Sequence, residues 1–167
     1  LWDEKKRTLY RSDAATAPVV PALAEDYAML VQGMIDLFDA TSDVKWLELA
    51  KTLQARQDEL FWDASAGRYT TGTSLPEVLR GLVVESDAQV PSVNALAASN
   101  QLRLAALTGS ENRRTIATTI FHSFGGRLQK SGAELPQLAS AKLKIDLMEK
   151  VLLRLRALAA QSATPLA

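Results

Sequence analysis

The sequence predicts an all-α fold in which antiparallel helical hairpins form part of an α/α toroid, with a small β-hairpin around residues 63–72. Apolar residues recur at steps of three and four along five segments of the chain, which is the spacing of amphipathic helices. One pair of these segments also occurs twice, because a shift of 67 residues places Ala28 on Ala95 and Leu53 on Ile120. A helical pair cannot bury its apolar faces alone, so repeated pairs are expected to stack side by side.

The composition is that of a single globular domain, which we place at residues 1–161 with a frayed tail at residues 162–167. Apolar residues make up 47% and charged residues 23% of the chain, an ordinary balance for a folded domain. The 19 basic and 19 acidic side chains cancel, so no net field favours a nucleic acid or an anionic membrane as partner. No apolar run approaches the roughly 18 residues of a membrane span, and we expect a cytoplasmic protein.

The cysteine and histidine counts limit the chemistry of any site. The chain has no cysteine, which excludes disulfides, thiol catalysis and thiolate metal sites without fixing the redox compartment. A single histidine, His122, also excludes a histidine-rich metal centre. We therefore predict no metal site and no cofactor, with an all-oxygen cation site as the alternative that these counts leave open. The sequence starts at Leu1 without an initiator methionine, which we interpret as the mark of a fragment or a processed chain.

The first pair of helices is predicted between Ala22 and about Trp62, after an extended stretch over residues 1–21. Its two helices are joined by a short polar turn, in which Ser42 or Asp43 can cap the second helix. Because the connection is so short, the two helices are expected to be antiparallel neighbours.

The second pair of helices is predicted between Pro91 and about Lys130, after the β-hairpin and an irregular connection over residues 73–90. Pro91 suits the first turn of a helix, where its missing N–H leaves no donor unpaired. Gly125 and Gly126 lie inside the last helix of this pair and should weaken it by roughly 2 kcal/mol relative to alanine. A break in the helix is expected there.

The strongest helix of the chain follows Pro136. One apolar stripe along it includes Leu138 and Ile145, and a second stripe includes Leu143 and Leu147. An apolar face this broad needs cover on two sides. The helix is therefore either a buried core helix or a subunit interface.

The candidate site lies on the long connections that lead into the first helix of each pair. Helix N-termini offer unpaired N–H groups, and functional groups are often carried on loops over a rigid scaffold. Glu25, Asp26 and Tyr27 lie at the first of these places, and Asp87 and Asn94 at the second. We predict Asp26 and Asp87 as a catalytic acid/base pair, with Glu25 in reserve, because paired carboxylates suit such chemistry on sugars. The alternative is a structural role, since acidic residues are favoured in a first helical turn.

Four side chains are predicted to bind the substrate. Arg11, Tyr27 and Asn94 would orient it through hydrogen bonds, and Trp62 could stack on a sugar ring. Trp2 and Tyr69 could stack in the same way. Aromatic residues near the ends of loops also commonly fill the edge of a core, so this alternative stays open.

A set of short segments spread over about residues 1–140 carries a family resemblance. The segments are Leu9-Tyr10-Arg11-Ser12, Leu23-Ala24-Glu25-Asp26-Tyr27-Ala28, Trp46-Leu47 to Ala50, Phe61-Trp62-Asp63, Gly67-Arg68-Tyr69, Asp87-Ala88, Pro91-Ser92-Val93-Asn94 and Leu104-Ala105-Ala106-Leu107-Thr108-Gly109. The best markers among them are the Glu-Asp-Tyr-Ala and Pro-Ser-x-Asn elements. Together they resemble the C-terminal α/α-barrel region of the thioredoxin-domain family that includes spermatogenesis-associated protein 20.

The resemblance implies a barrel region similar to six-hairpin glycosidases and N-acylglucosamine 2-epimerases. In the full-length family this region follows a thioredoxin-like domain and the first helical hairpins, so those segments, or a second copy in a homodimer, are the expected partners. By analogy of fold, the resemblance also implies binding or processing of a carbohydrate-like small molecule. The alternative function is a non-enzymatic helical scaffold for interdomain or subunit contacts, which includes a degenerate barrel.

Overall fold

A computed structural model describes residues 1–12, 20–71 and 91–162 of the chain. It confirms the predicted fold class, since the chain is mostly helical and its helices pack as antiparallel hairpins. Among the described residues, no helix is both long enough and apolar enough to cross a membrane. The elements in chain order are β1 (Trp2–Asp3), β2 (Thr8–Leu9), α1 (Ala24–Thr41), α2 (Val44–Phe61), β3 (Trp62–Asp63), β4 (Arg68–Tyr69), α3 (Val93–Thr108), α4 (Glu111–Ser131), a 3-10 turn (Gly132–Glu134) and α5 (Pro136–Ser162).

The two helical pairs repeat each other at the predicted shift of 67 residues. α1 is followed by Ser42 with a φ of +56°, and α3 by Gly109 with a φ of +70°, and both residues form left-handed helix caps. The next residues, Asp43 and Ser110, are the N-caps of α2 and α4. Asp43 accepts a hydrogen bond from the Lys45 N–H at 3.1 Å, which confirms it as the cap of α2. The turn inside each pair is therefore built in the same way.

Two helix starts differ from the prediction. α1 begins at Ala24 rather than Ala22, because the Ala22 N–H bonds to the strand before it. α3 begins at Val93 rather than Pro91, because the Ser92 hydroxyl caps the helix. Pro91 therefore precedes the helix instead of filling its first turn.

The break predicted at Gly125 and Gly126 is wrong. α4 continues through both glycines to Ser131. The side chains of Phe121 and Phe124, on the turn before the glycines, are buried in the core. Their burial offsets the roughly 2 kcal/mol that two glycines cost a helix. Tertiary packing therefore decides the length of this helix, and local propensity does not.

The described residues form two β-hairpins, one more than the sequence predicted. β3 and β4 form the predicted hairpin, with Trp62 opposite Tyr69. β1 and β2 form the other, with Trp2 opposite Leu9. Both hairpins start with Trp-Asp, and their first residues lie 60 positions apart. The repeated unit is therefore larger than a pair of helices.

Each β-hairpin packs against the second helix of the pair that follows it. The residue at the tip of each hairpin has a left-handed backbone conformation, with a φ of +50° at Arg7 and of +65° at Gly67. The Arg7 carbonyl accepts a hydrogen bond from the Arg56 Nε at 2.9 Å, and the Gly67 carbonyl accepts one from the Ser123 hydroxyl at 3.1 Å. Arg56 and Ser123 lie 67 residues apart on α2 and α4. The repeated unit is thus a hairpin followed by two helices.

We call residues 2–61 the first repeat and residues 62–131 the second repeat. The first helices of the repeats form a row with α5, in which α3 packs against α1, α4 and α5, while α1 packs against α2 and α3. α5 has both of its predicted apolar stripes. Leu138, Ala141 and Ile145 of the first stripe are buried, whereas Leu143 and Leu147 of the second are exposed, at 69% and 63%. The row therefore ends in an apolar surface.

Candidate functional site

Arg11, Glu25 and Asp26 come together at the start of α1. The Arg11 Nε lies 2.9 Å from the Asp26 Oδ2, and the Arg11 Nη2 lies 3.7 Å from the Glu25 Oε1. Arg11 and Asp26 line an open groove of about 410 Å³, together with Leu1, Leu9, Tyr10, Met29 and Leu30. Two predicted site residues, Arg11 and Asp26, therefore line a groove. The Asp26 carboxylate is already paired there with the Arg11 guanidinium of the same chain.

The Asp26 carboxylate also holds the first turn of α1. Its Oδ2 accepts a hydrogen bond from the Leu23 N–H at 2.8 Å. The start of a helix leaves such N–H groups without a partner inside the helix, and an acidic side chain in the first turn supplies one. This arrangement is the structural alternative that the sequence left open. The catalytic role of Asp26 stays a prediction.

Tyr27 and Asn94, two predicted substrate ligands, are buried and bind the backbone. They occupy equivalent positions in the two repeats, 67 residues apart. The Tyr27 hydroxyl accepts a hydrogen bond from the Leu9 N–H at 3.1 Å. The Asn94 Oδ1 accepts from the Tyr69 N–H at 2.8 Å, and the Asn94 Nδ2 donates to the Tyr69 carbonyl at 3.1 Å. Both side chains therefore anchor a β-hairpin to the first helix of its repeat.

Trp62 and Asp87 complete the predicted set. Trp62 is half-buried, and its ring centroid lies 5.0 Å from that of Tyr69 with a tilt of 57° between the rings. Such a tilted pair is a common form of aromatic packing at the edge of a core. Asp87 lies outside the described residues, so the predicted pairing of Asp26 with Asp87 stays a prediction.

A buried polar cluster that the sequence did not predict joins the two repeats. The Tyr69 hydroxyl donates to the Asp58 Oδ1 at 2.5 Å and accepts from the Gln101 Nε2 at 2.9 Å. The Asp58 Oδ1 also accepts from the Gln54 Nε2 at 2.8 Å, and the Arg113 Nη1 donates to the Gln101 Oε1 at 3.0 Å. We call these five residues the inter-repeat cluster. It connects α2 of the first repeat to β4, α3 and α4 of the second.

The inter-repeat cluster keeps the Tyr69 phenol protonated. Burial raises the pKa of Tyr69 well above its usual value, and the negative charge of Asp58 raises it further. The hydrogen bond from Gln101 and the charge of Arg113 act in the opposite direction without reversing the shift. The phenol is therefore a fixed donor to Asp58, and the cluster is suited to cross-linking helices. In the described part of the chain, no three metal-binding side chains are placed to hold an ion.

The spacing of polar residues on α2 is the signal that could have revealed the cluster. Gln54, Gln57 and Asp58 lie at steps of three and four on a face of the helix that is largely buried. Polar residues on such a face indicate buried hydrogen-bond partners, since a buried amide without one costs about 1–3 kcal/mol. Gln57 meets this need by donating to the Ala24 carbonyl at 2.8 Å. The other partners come from the second repeat, which spacing within one helix cannot predict.

Comparison with known proteins finds relatives that are much longer than this chain. The chain is 35% identical over 145 residues to spermatogenesis-associated protein 20 of Rattus norvegicus, a match that covers 81% of this chain and 18% of the relative. The protein of the same name in Homo sapiens is 33% identical over 144 residues, with the same coverage. An uncharacterized protein of Caenorhabditis elegans is 28% identical over 122 residues, covering 73% of this chain and 17% of the relative. No family model matches the chain.

The names of these relatives state no ligand and no reaction, so the comparison concerns ancestry alone. The chain spans less than a fifth of the length of each of them. The matches to the mammalian proteins nevertheless cover about four-fifths of this chain, in agreement with the resemblance carried by its sequence segments. The chain is therefore homologous to a section of spermatogenesis-associated protein 20, and this homology supports its place in that family.

Proposed function

We propose that this chain is a non-enzymatic helical scaffold that makes interdomain contacts through both ends of the row α1, α3 and α5. The observation that carries the proposal is a difference in exposure between equivalent residues of the two repeats. Met29 is 42% exposed whereas Leu96 is 6% exposed, and Leu37 is 37% exposed whereas Leu104 is fully buried. Because repeated units stack through equivalent faces, this side of α1 is where a further unit would pack.

We call Met29, Gly33 and Leu37 the open flank of α1. Gly33 is equivalent to Asn100 of α3, whose Nδ2 donates to the Ala28 carbonyl of α1 at 2.8 Å. A Cβ atom added at Gly33 would meet nothing within 4 Å. The backbone of α1 is therefore uncovered at the position where α3 touches its neighbour, and a glycine there lets another helix approach closely.

The exposed stripe of α5 forms the other end of the row. Leu143, Leu147 and Val151 follow one another at steps of four residues and are all exposed. Side chains at this spacing lie on one face of a helix, and a line of large apolar residues is suited to packing against another helix. Leu138, Ala141 and Ile145, which belong to the other stripe of the same helix, are already buried. α5 therefore offers a free apolar face beside a filled one.

The partner that we propose for both ends is another helical hairpin of the longer family protein. The chain covers 18% of the rat relative, so most of that protein lies outside the homologous section. Helical hairpins that continue the row in both directions would complete the α/α barrel that the family resemblance implies. Such a partner would cover the open flank of α1 as α1 itself covers α3.

The predicted carbohydrate role has less support from the same residues. Tyr27 and Asn94 bind the protein's own backbone, and a substrate at Asp26 would have to displace Arg11. A sugar site between Asp26 and Asp87 is the alternative proposal. A thermal-shift screen against sugars would support it if stabilisation appeared and was lost in the Asp26→Asn variant.

Three glutamate substitutions test the scaffold proposal. Met29→Glu changes the open flank, Leu147→Glu changes the stripe on α5, and Val44→Glu is the matched control at another exposed apolar position. Glutamate is a good helix former, so all three variants of the isolated chain should unfold within about 2 °C of the wild type. When this chain is joined to the other helical hairpins of a longer family protein, Met29→Glu and Leu147→Glu should each cost roughly 2–3 kcal/mol, because each would place a carboxylate in an apolar interface.

The Val44→Glu control tests whether the two surfaces are interfaces, and the oligomeric state tests which partner covers them. If Met29→Glu and Leu147→Glu affect the longer protein no more than Val44→Glu does, the scaffold proposal is wrong. Sedimentation of the isolated chain tests the choice of partner. A wild-type dimer that Met29→Glu dissociates would show that a second copy of this chain covers the flank, contrary to the interdomain contact that we propose.

A further inference from the structure

A groove between the first β-hairpin and α2 is lined by two of the three tryptophans of the chain. Trp2 comes from β1 and Trp46 from the first turn of α2, and both are half-buried. The groove has a volume of about 610 Å³, which falls in the range of small-molecule sites. It shares no lining residue with the groove at the start of α1. It is therefore a separate place on the protein, away from Asp26.

The charged residues around the two indole rings balance one another. Glu4 and Glu48 supply two carboxylates, and Arg7 and Lys45 supply two cations. Each cation already has an acidic partner elsewhere, since Arg7 pairs with Glu59 at 3.0 Å and Lys45 with Asp43 at 2.7 Å. A ligand with a net charge would gain little from such a rim. The groove therefore favours a neutral ligand that has many hydrogen-bonding groups.

One face of the Trp46 ring is covered by a lysine side chain. The Lys45 Nζ lies 4.8 Å from the centroid of the Trp46 ring, a cation–π contact within the protein. Any ligand that stacks on this face of the ring, a cation or a sugar, would have to compete with this ammonium group. Within the described residues, the Glu4 carboxylate has no hydrogen-bond or ion-pair partner, so it is free to accept a hydrogen bond from a ligand.

The pair of tryptophans is particular to the first repeat. The residue equivalent to Trp46 in the second repeat is Arg113, which bonds to Gln101 in the inter-repeat cluster. The residue equivalent to Trp2 is Trp62, whose ring packs against Tyr69. The repeated fold thus forms without two indole rings beside an open groove. Trp2 packs against the core as Trp62 does, so Trp46 is the ring that the shared fold of the repeats does not explain.

We infer that this groove binds one or two rings of a neutral saccharide. The flat apolar indoles of Trp2 and Trp46 match the C–H faces of a pyranose ring, as aromatic side chains do with other flat apolar surfaces. Glu4 can accept hydrogen bonds from sugar hydroxyls, and Glu48 can accept further ones beside those from the Lys51 Nζ at 2.8 Å. Lys45 can donate to the sugar oxygens. The site is independent of the scaffold surfaces and of the predicted carboxylate pair, and no reaction is assigned to it.

The three tryptophans allow one titration to locate the ligand. The indole N–H signals of the ¹⁵N-labelled chain would be followed by NMR while cellobiose, maltose or N,N′-diacetylchitobiose is added to about 50 mM. With at least one of these sugars, the signals of Trp2 and Trp46 should shift with a dissociation constant of about 1 mM, a value expected of a shallow site. The signal of Trp62 should not move. Trp46→Ala should weaken binding by about tenfold or more, and Glu4→Gln by less.

The Trp62 signal also serves as the control for folding, because it reports the second repeat in every variant. The proposal is overturned if none of the three sugars moves Trp2 and Trp46, or if Trp62 shifts equally. It is also overturned if Trp46→Ala binds as the wild type does while Trp62 keeps its position. A shift with choline and none with the sugars would assign the groove to a cation instead.

Discussion

In the first repeat, the β-hairpin is anchored to the following helix by one hydrogen bond to Tyr27, whereas Asn94 at the equivalent position of the second repeat makes two. The tips of the hairpins differ as well. Arg7 is exposed at the first tip, while a Cβ atom at Gly67 would lie 2.8 Å from a methyl carbon of Thr119. The second hairpin is therefore bound to the first helix of its repeat by more hydrogen bonds, and its tip is packed more tightly, than the first hairpin.

The strand residues show why the two repeats diverged. Leu9 and Tyr69 occupy equivalent positions and both are buried, but only Tyr69 carries a hydroxyl group that reaches Asp58 on the preceding repeat. The second repeat lies between α1 and α5 and needs contacts to its neighbours, whereas the first has an open flank. Backbone contacts that both repeats share thus define the unit, and the side chains at its borders adapt to what packs there.

Asn94→Leu should cause the largest loss of stability in this comparison. It would leave the N–H and the carbonyl of Tyr69 buried without their partner, at a cost of roughly 3 kcal/mol. Tyr27→Phe removes a single hydrogen bond in the first repeat and should cost about 1 kcal/mol. Urea unfolding followed by circular dichroism measures both changes. Equal losses would show that the two hairpins are anchored equally well.

Gly67→Ala should cost about 2 kcal/mol, because the new methyl group would meet the Thr119 Cγ2 and the backbone is left-handed. Arg7→Gly in the first hairpin should change stability by less than about 1 kcal/mol. The substitution removes the strain of a left-handed backbone at a residue with a side chain. It also increases the conformational entropy of the unfolded chain and removes an exposed ion pair with Glu59, and both of these effects lower stability. Thermal unfolding of both variants gives the comparison.

A second substitution separates the two causes of strain at Gly67. Thr119→Ser deletes the methyl carbon and keeps the hydroxyl, which donates to the Thr115 carbonyl at 2.9 Å. If the close contact dominates, Gly67→Ala combined with Thr119→Ser should recover more than half of the lost stability. If the double variant recovers nothing, the left-handed backbone alone explains the loss and the tight packing of this tip is unimportant.

The helical pairs were predictable because their signal lies within short windows of sequence. The shift of 67 residues and the turns at Ser42 and Gly109 follow from apolar spacing and turn chemistry. The first β-hairpin was not predicted, because Trp2 and Trp62 are related by a shift of 60 residues and the helices by one of 67. The connections between hairpin and helix differ in length, so no single shift aligns the whole unit.

The site was only partly predictable for a different physical reason. Tyr27 and Asn94 could be picked out in the sequence as hydrogen-bonding residues near the starts of the helices. The same hydroxyl and amide groups, however, can bind either a substrate or the backbone of a neighbouring β-hairpin. Their actual partners, Leu9 and Tyr69, lie 18 and 25 residues away along the chain. Sequence spacing identifies contacts within a turn or a helix, whereas these hydrogen bonds depend on how the hairpin folds back on the helix. The sequence therefore identified the residues that form specific hydrogen bonds. Whether they bind a ligand or the backbone is decided by the tertiary packing.

Tyr69→Phe should have a small effect at neutral pH, a loss of about 1 kcal/mol, because Asp58 keeps its hydrogen bonds from Gln54 and Gln101. Its pH dependence is more telling. The pKa of Tyr69 is raised in the folded chain above its ordinary value of 10.0, so the folded state holds the proton longer than the unfolded state does. The stabilisation is complete below about pH 10 and falls as the pH rises towards the folded pKa, by up to about 1.4 kcal/mol per pH unit.

Urea unfolding at several pH values between about 8 and 11 measures this dependence on Tyr69. The wild type should lose more stability above pH 10 than Tyr69→Phe does, since the variant has no phenol to deprotonate at this place. Tyr10→Phe is the matched control, because Tyr10 is half-buried and lies outside the inter-repeat cluster. It should lose stability as the wild type does. A wild type and a Tyr69→Phe variant with the same slope would mean that burial and the charge of Asp58 do not raise the pKa of the phenol in the folded chain.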